Sequence, residues 1–141
     1  GSEAKAELAR EAGCTHPIVL DASSRRELPA KVKELTGGAK VPVVYDSIGR
    51  DTFDASLECL QPFGLMVLFG ASSGPVPPVD PQILNRKGSL FLTRPTLYSY
   101  IADPAELHEV HRRSQGDRSE AGEGPAEDHG CAVQGFLPNA V

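Results

Sequence analysis

Two apolar runs, VPVVY from Val41 to Tyr45 and LMVLF from Leu65 to Phe69, show no helical period and almost no polar interruption. Short continuous runs of this kind predict strands covered on both faces, as in a parallel sheet flanked by helices. Between them, Asp51 to Leu60 places Phe53, Leu57 and Leu60 on one side of a helix, which completes a strand–helix–strand unit. Upstream, Ala4 to Ala12 mixes strong helix formers and stops at Gly13. Pro17 to Leu20 reads as a short strand. Asp21, Ser23 and Ser24 offer caps for a helix from Arg25 to Thr36, with Pro29 early in it and Leu28, Val32 and Leu35 as its apolar face. Downstream come the loop ASSGPVPPVDP, a short helix around Gln82 to Arg86, the strand SLFLT and a helical turn or two from Ala105 to Arg112.

The polar residues that close the two long strands carry the candidate chemistry. The first ends in Asp46, Ser47 and Gly49, the second in FGASSG, Phe69 to Gly74. In an open parallel sheet, ligands bind just beyond the carboxyl ends of the strands, where backbone N–H groups and helix starts point outward. Glycines there let a ligand approach the backbone, and hydroxyls can donate to it. A plainer role for the same residues is to cap the helix beginning at Asp51 and to make turns.

Composition narrows the classes. A formal charge of −5 leaves no extended basic surface for a phosphate backbone, which argues against nucleic acid. No apolar run approaches the roughly 20 residues that span a bilayer, and GSEAKAELAR lacks the apolar segment of a secretory signal, so the expected setting is cytoplasmic, away from membranes. Cys14, Cys59 and Cys131 are scattered, without the spacing of a zinc site, and read as free buried thiols. His16, His108 and His111 have no serine or cysteine placed for activation, so no catalytic side chain is assigned.

The run ELTGGAKVPVVYDSIGRDTFDASLECLQPFGLMVLFGASSGPVPP, followed by ILNRKGSLFLTRPTLYSYI, resembles the NADPH-dependent quinone oxidoreductases, the zeta-crystallin-like group of the medium-chain dehydrogenase/reductase superfamily. The resemblance spans roughly Gly1 to Leu107. It implies a Rossmann-type dinucleotide fold, NADPH as hydride donor, a quinone or enone as acceptor, no catalytic zinc, and a homodimer joined through the Ser89–Thr93 edge strand. Carried over by position, it implies that Lys5 pairs with the adenosine 2′-phosphate and that Gly1 and Ser2 form the adjoining turn. It also implies that Ser47 and Gly49 lie beside the cofactor ribose, and Phe69, Gly70 and Ser72 near the nicotinamide.

Departures from the pattern matter too. Leu20 stands where relatives carry a tyrosine, and Ala71 where they often have Asn. No GxGxxG-like stretch and no first strand to carry one are present. The expected fold is therefore α/β: a partial Rossmann-type parallel sheet flanked by helices, lacking the first two strands, over residues 1–111. Residues 112–141, rich in charge, Gly, Ser and Pro, read as a low-complexity, disordered tail. Its composition suggests an out-of-frame reading of a GC-rich gene, which sequencing of the locus tests. His111, Asp128, His129 and Cys131 within it have no scaffold that would make them metal ligands. Without strands 1 and 2 the VVYD strand becomes an open apolar edge, and with the pyrophosphate turn missing the chain is expected to bind NADPH poorly and catalyse little. The alternative is a non-catalytic nucleotide-binding or dimerisation remnant. A short-chain reductase or methyltransferase is disfavoured by the lack of a Tyr-x-x-x-Lys pair and of a glycine-rich first loop.

Overall fold

The apolar runs pair with one another. A computed structural model describes residues 1–21, 24–102 and 132–134. In it β1 (Val41–Asp46) and β2 (Leu60–Leu68) are parallel neighbours, with Val44 opposite Met66 and Asp46 opposite Leu68. β3 (Phe91–Thr93) extends the parallel sheet on the far side of β2. The crossover from β1 to β2 is α3 (Phe53–Cys59), as the strand–helix–strand pattern requires. The register places Val44, Asp46, Met66 and Leu68 on the face that α3 covers, and Val43, Tyr45, Leu65 and Val67 on the other.

The core forms under the helices. Phe53, Leu57 and Leu60, the apolar side read from the sequence, are all buried, and α2 (Leu28–Leu35) adds Leu28 and Val32 by packing on α3. Full burial of a side chain such as Leu57 or Met66 contributes roughly 2 kcal/mol. On the opposite face Tyr45 is 47% exposed and Phe91 60% exposed. α1 (Glu3–Glu11) begins at the Ser2 cap, and α4 (Gln82–Arg86) falls where the sequence places it. α5 (Leu97–Tyr100) belongs to a second compact unit, Pro95–His129, in which Ile101 N–H donates to the Leu97 carbonyl at 3.1 Å.

Several elements differ from the sequence reading. Pro17–Leu20 is half-buried but makes no ladder, because a strand exists only with a neighbour to bond; the Leu20 carbonyl instead accepts the Gly1 amino group at 2.7 Å. The helix expected from Arg25 is divided into a 3₁₀ turn, Ser24–Arg26, and α2, with Pro29 in the first turn, where its missing N–H costs nothing. Asp21 and Ser24 cap the turn reciprocally: Ser24 N–H donates to Asp21 Oδ1 and Asp21 N–H to Ser24 Oγ, both at 2.8 Å. Leu35, expected on the apolar face, is 42% exposed in the last turn of α2. The open β1 edge also changes: Ala132–Gln134 forms β4 and pairs in parallel with it, Val44 opposite Ala132, which gives the free edge N–H and C=O groups partners. The rest of the expected structureless tail, the Ala105–Arg112 helix, Ser23, and His108, His111, Asp128, His129 and Cys131 lie outside the described residues.

Candidate functional site: the joined strand-end loops

Because β1 and β2 are parallel and adjacent, their carboxyl ends open on the same rim, and the loops that follow continue the pairing. The Asp46 carbonyl accepts Phe69 N–H at 2.9 Å and Gly70 N–H at 3.3 Å; the Ser47 carbonyl accepts Ser72 N–H at 3.2 Å; the Ile48 carbonyl accepts Ser73 N–H at 2.8 Å. Arg50 N–H then donates to the Gly74 carbonyl at 3.2 Å. Residues 46–51 and 69–74 thus form one backbone-bonded unit.

Glycines make the approach possible. A Cβ on Gly70 would lie 2.4 Å from the Ser47 carbonyl oxygen, and one on Gly49 would lie 2.9 Å from the Gly74 oxygen. Gly49 also has φ +88, a conformation L side chains rarely adopt. Ser73 Oγ ties the loops a second time, donating to the Ile48 carbonyl at 2.7 Å and accepting Asp51 N–H at 3.0 Å.

The five strand-end residues read from the sequence therefore come together. Gly49 is buried between the loops, Ser47 and Gly70 are half-buried, and Phe69 (46% exposed) and Ser72 face solvent. Gly1, Ser2 and Lys5 form a separate group at the start of α1. Ser2 Oγ accepts Lys5 N–H at 3.4 Å, and the Lys5 side chain is exposed. Asp46 does something the sequence reading did not assign. It is fully buried, and its carboxylate accepts Ile48 N–H, Gly49 N–H and the hydroxyls of Thr52 and Ser56 at 2.7–3.0 Å. A signal was present: Asp46 lies two residues from buried Val44 on one strand face, and Thr52 and Ser56 lie four apart beside the buried stripe of α3. Ser73 and Arg50 were also missed, and nothing in the run ASSG separates Ser73 from Ser72.

The family model described as zinc-binding dehydrogenase matches residues 1–113. The chain belongs to that family. A quinone oxidoreductase of Salmonella typhimurium is 54% identical over 110 residues, 78% of this chain and 33% of the relative. A 2-haloacrylate reductase of a Burkholderia species is 44% identical over 109 residues, 77% and 32% of the two chains. Among solved structures, Escherichia coli quinone oxidoreductase complexed with NADPH superposes with a TM-score of 0.72 at 49% identity, covering 82% of this chain and 35% of that one. The resemblance to the quinone oxidoreductases of the medium-chain superfamily is borne out, as is the Rossmann-type α/β fold. The chain spans about a third of the length of these relatives.

The family description names zinc, but the described residues do not fit it. No three potential ligands converge among them. Cys59, the last residue of α3, is buried, and that desolvation pushes its thiol up to about 11, opposite to what a metal-binding thiolate needs. The strand-end unit suits a dinucleotide better: a fixed backbone with a half-exposed aromatic ring and an exposed hydroxyl on one rim.

Proposed function

We propose that residues 1–111 are part of the nucleotide-binding domain of an NADPH-dependent oxidoreductase acting on quinones or related conjugated carbonyls. The observation that carries the proposal is the joined rim of β1 and β2, with Ser47, Gly49, Phe69, Gly70 and Ser72 in one hydrogen-bonded unit. Bound NADPH supplies the hydride; the protein supplies orientation and a partly dry surface. Ser47 and Gly49 border the ribose, while Phe69, Gly70 and Ser72 border the nicotinamide. Lys5, on the first turn of α1 beside the Ser2 cap, meets the 2′-phosphate as a charge-assisted donor, with Gly1 and Ser2 as the turn beneath it. No side chain is assigned as a catalytic acid or metal ligand.

The acceptor class draws support from the names of relatives, a quinone oxidoreductase and a 2-haloacrylate reductase, both of which imply an electron-poor conjugated π-system. The 141 residues hold no GxGxxG turn, so by themselves they bind NADPH weakly and turn over little. β3 bonds to β2 on one side with Phe91 exposed, and the reading makes Ser89–Thr93 the edge through which two copies join sheets. The exposed Phe91 on β3 also favours a second reading, a non-catalytic nucleotide-binding or dimerising module.

Titration with NADPH, followed by backbone amide shifts and cofactor fluorescence, tests the proposal. Shifts at Ser47, Phe69, Gly70 and Ser72, weaker with NADH and weakened by Lys5→Met, are expected. No change at those amides overturns it. Adding a quinone and following loss of the reduced cofactor's absorbance separates the two readings: slow consumption above the protein-free rate marks the enzyme, and none at all marks the binding module.

A further inference from the structure

Asp46 has no cation against it among the described residues, yet it is fully buried and every hydrogen bond it accepts comes from the loop, the helix start or the neighbouring loop. We infer that Asp46 is a positioning residue for the nicotinamide cofactor, setting the shape of both strand-end loops at once. The inference rests on the NADPH reading above.

Its two ends act on different loops. The carboxylate pulls Ile48 N–H and Gly49 N–H inward at 2.8 and 3.0 Å, which makes the turn in which Gly49 takes φ +88 and the Ser47 carbonyl meets Ser72 N–H. The Asp46 carbonyl holds Phe69 N–H and Gly70 N–H. Three of the five strand-end residues therefore bond Asp46 directly, and the other two, Ser47 and Ser72, bond each other. From α3, Ser56 Oγ at 2.7 Å and Thr52 Oγ1 at 2.8 Å hold the second carboxylate oxygen, so the helix packed in the core fixes which way the carboxylate aims. A loop held so tightly loses little freedom when a ligand binds, and that pre-organisation appears as affinity.

Three variants test this on residues 1–141. Asp46→Asn keeps an oxygen for the two N–H groups, and the Thr52 hydroxyl has the Gly49 carbonyl at 3.3 Å as another acceptor. Asp46→Ala removes the acceptor, and the double variant T52V/S56A frees the carboxylate from the helix. NADPH affinity is read beside amide exchange at Ile48, Gly49 and, as a control on the fold, Met66 in the core of β2. For Asp46→Ala, NADPH binding about tenfold weaker is expected, with Ile48 and Gly49 deprotected and Met66 still protected; Asp46→Asn stays within about threefold of wild type. Wild-type affinity in a folded Asp46→Ala chain, or equal losses in the Asn and Ala variants, overturns the inference. If Asp46→Ala does not keep Met66 protected, T52V/S56A decides: weaker NADPH binding with Met66 protected supports it, and unchanged affinity with released loop amides overturns it. Should wild type itself show no NADPH binding, the functional reading fails; should wild type bind while the variants bind equally, only the role of Asp46 fails.

Discussion

The two rims of the sheet are built differently. Where β1 and β2 end, backbone meets backbone: three carbonyls of residues 46–48 accept four N–H groups of residues 69–73, and glycines stand where a Cβ would strike main-chain atoms. Ion pairs of Asp51 with Arg25 and Arg50 flank this ladder without forming it; where the strands begin, a side-chain pair takes the larger part. Lys87 pairs with Glu58, next in the chain to the buried Cys59. Conformational strain is also unevenly placed. The non-glycine residues of positive φ among those described, Lys40, Phe63 and Ser89, all lie at the starting rim, outside the candidate site. Strained backbone is often a pointer to function, but here the site is marked by close approach and mutual hydrogen bonding instead. A rim made of main chain is rigid and intolerant of added atoms; a partly exposed ion pair such as Lys87–Glu58 is given up cheaply.

The sharpest way to break that contrast is to add one carbon at each rim. Gly70→Ala places a Cβ 2.4 Å from the Ser47 carbonyl oxygen, and neither loop can yield without losing its hydrogen bonds. A loss of about 3 kcal/mol is expected in urea unfolding. Gly88→Ala at the starting rim meets Pro62 Cα at 3.2 Å and carries φ +115, and should cost about 1–2 kcal/mol. Gly13→Ala, at φ +95 with nothing within 4 Å, isolates the conformational cost alone at about 1 kcal/mol. Equal losses at Gly70 and Gly13 would show that close approach adds nothing at the site.

Ser73→Ala sharpens the comparison by removing a bridge and leaving the main chain intact. The hydroxyl is half-buried and bonds both the Ile48 carbonyl and Asp51 N–H, so its loss should cost about 1.5 kcal/mol and speed exchange of the Asp51 amide. An unchanged Asp51 amide would mean that the backbone ladder alone holds the loops.

How much of this could be read from the chain follows the same division. Long apolar runs and helical stripes located β1, β2, α3 and α4, because burial on two faces leaves an unbroken apolar run and burial of one helix face leaves a stripe. The parallel arrangement followed from the crossover helix. The status of Pro17–Leu20 could not be read in that way, since a strand needs a neighbour and the segment's own residues do not say whether one is there. At the site, residue type pointed to the right loops but not to the division of labour within them. Ser72 and Ser73 are indistinguishable in sequence, and only the turn decides that one faces solvent and the other bridges. Asp46, read at the outset as part of a polar strand end, turns inward because strand alternation gives it the face of Val44.

The smallest effect is expected at the starting rim, where it depends on pH. The hydrogen bond from Lys87, with burial opposing and the charges of Lys87 and Lys40 adding to it, holds the Glu58 carboxyl below its ordinary value of 4.5. A carboxyl whose folded value is depressed contributes stability that is present in full above its unfolded value and disappears as pH falls through the folded one. Glu58 is half exposed, so solvent screens the pair and the contribution should be about 0.5 kcal/mol. Glu58→Gln should therefore lower stability slightly at pH 7, and the difference from wild type should vanish well below pH 4.5. Raised salt should narrow the gap at neutral pH, whereas the Gly70→Ala deficit, being steric, should hold its size in both conditions. A Glu58→Gln deficit that persists in acid would mean that this rim, too, depends on packing around the side chain, and the distinction between the two rims would lose its electrostatic half.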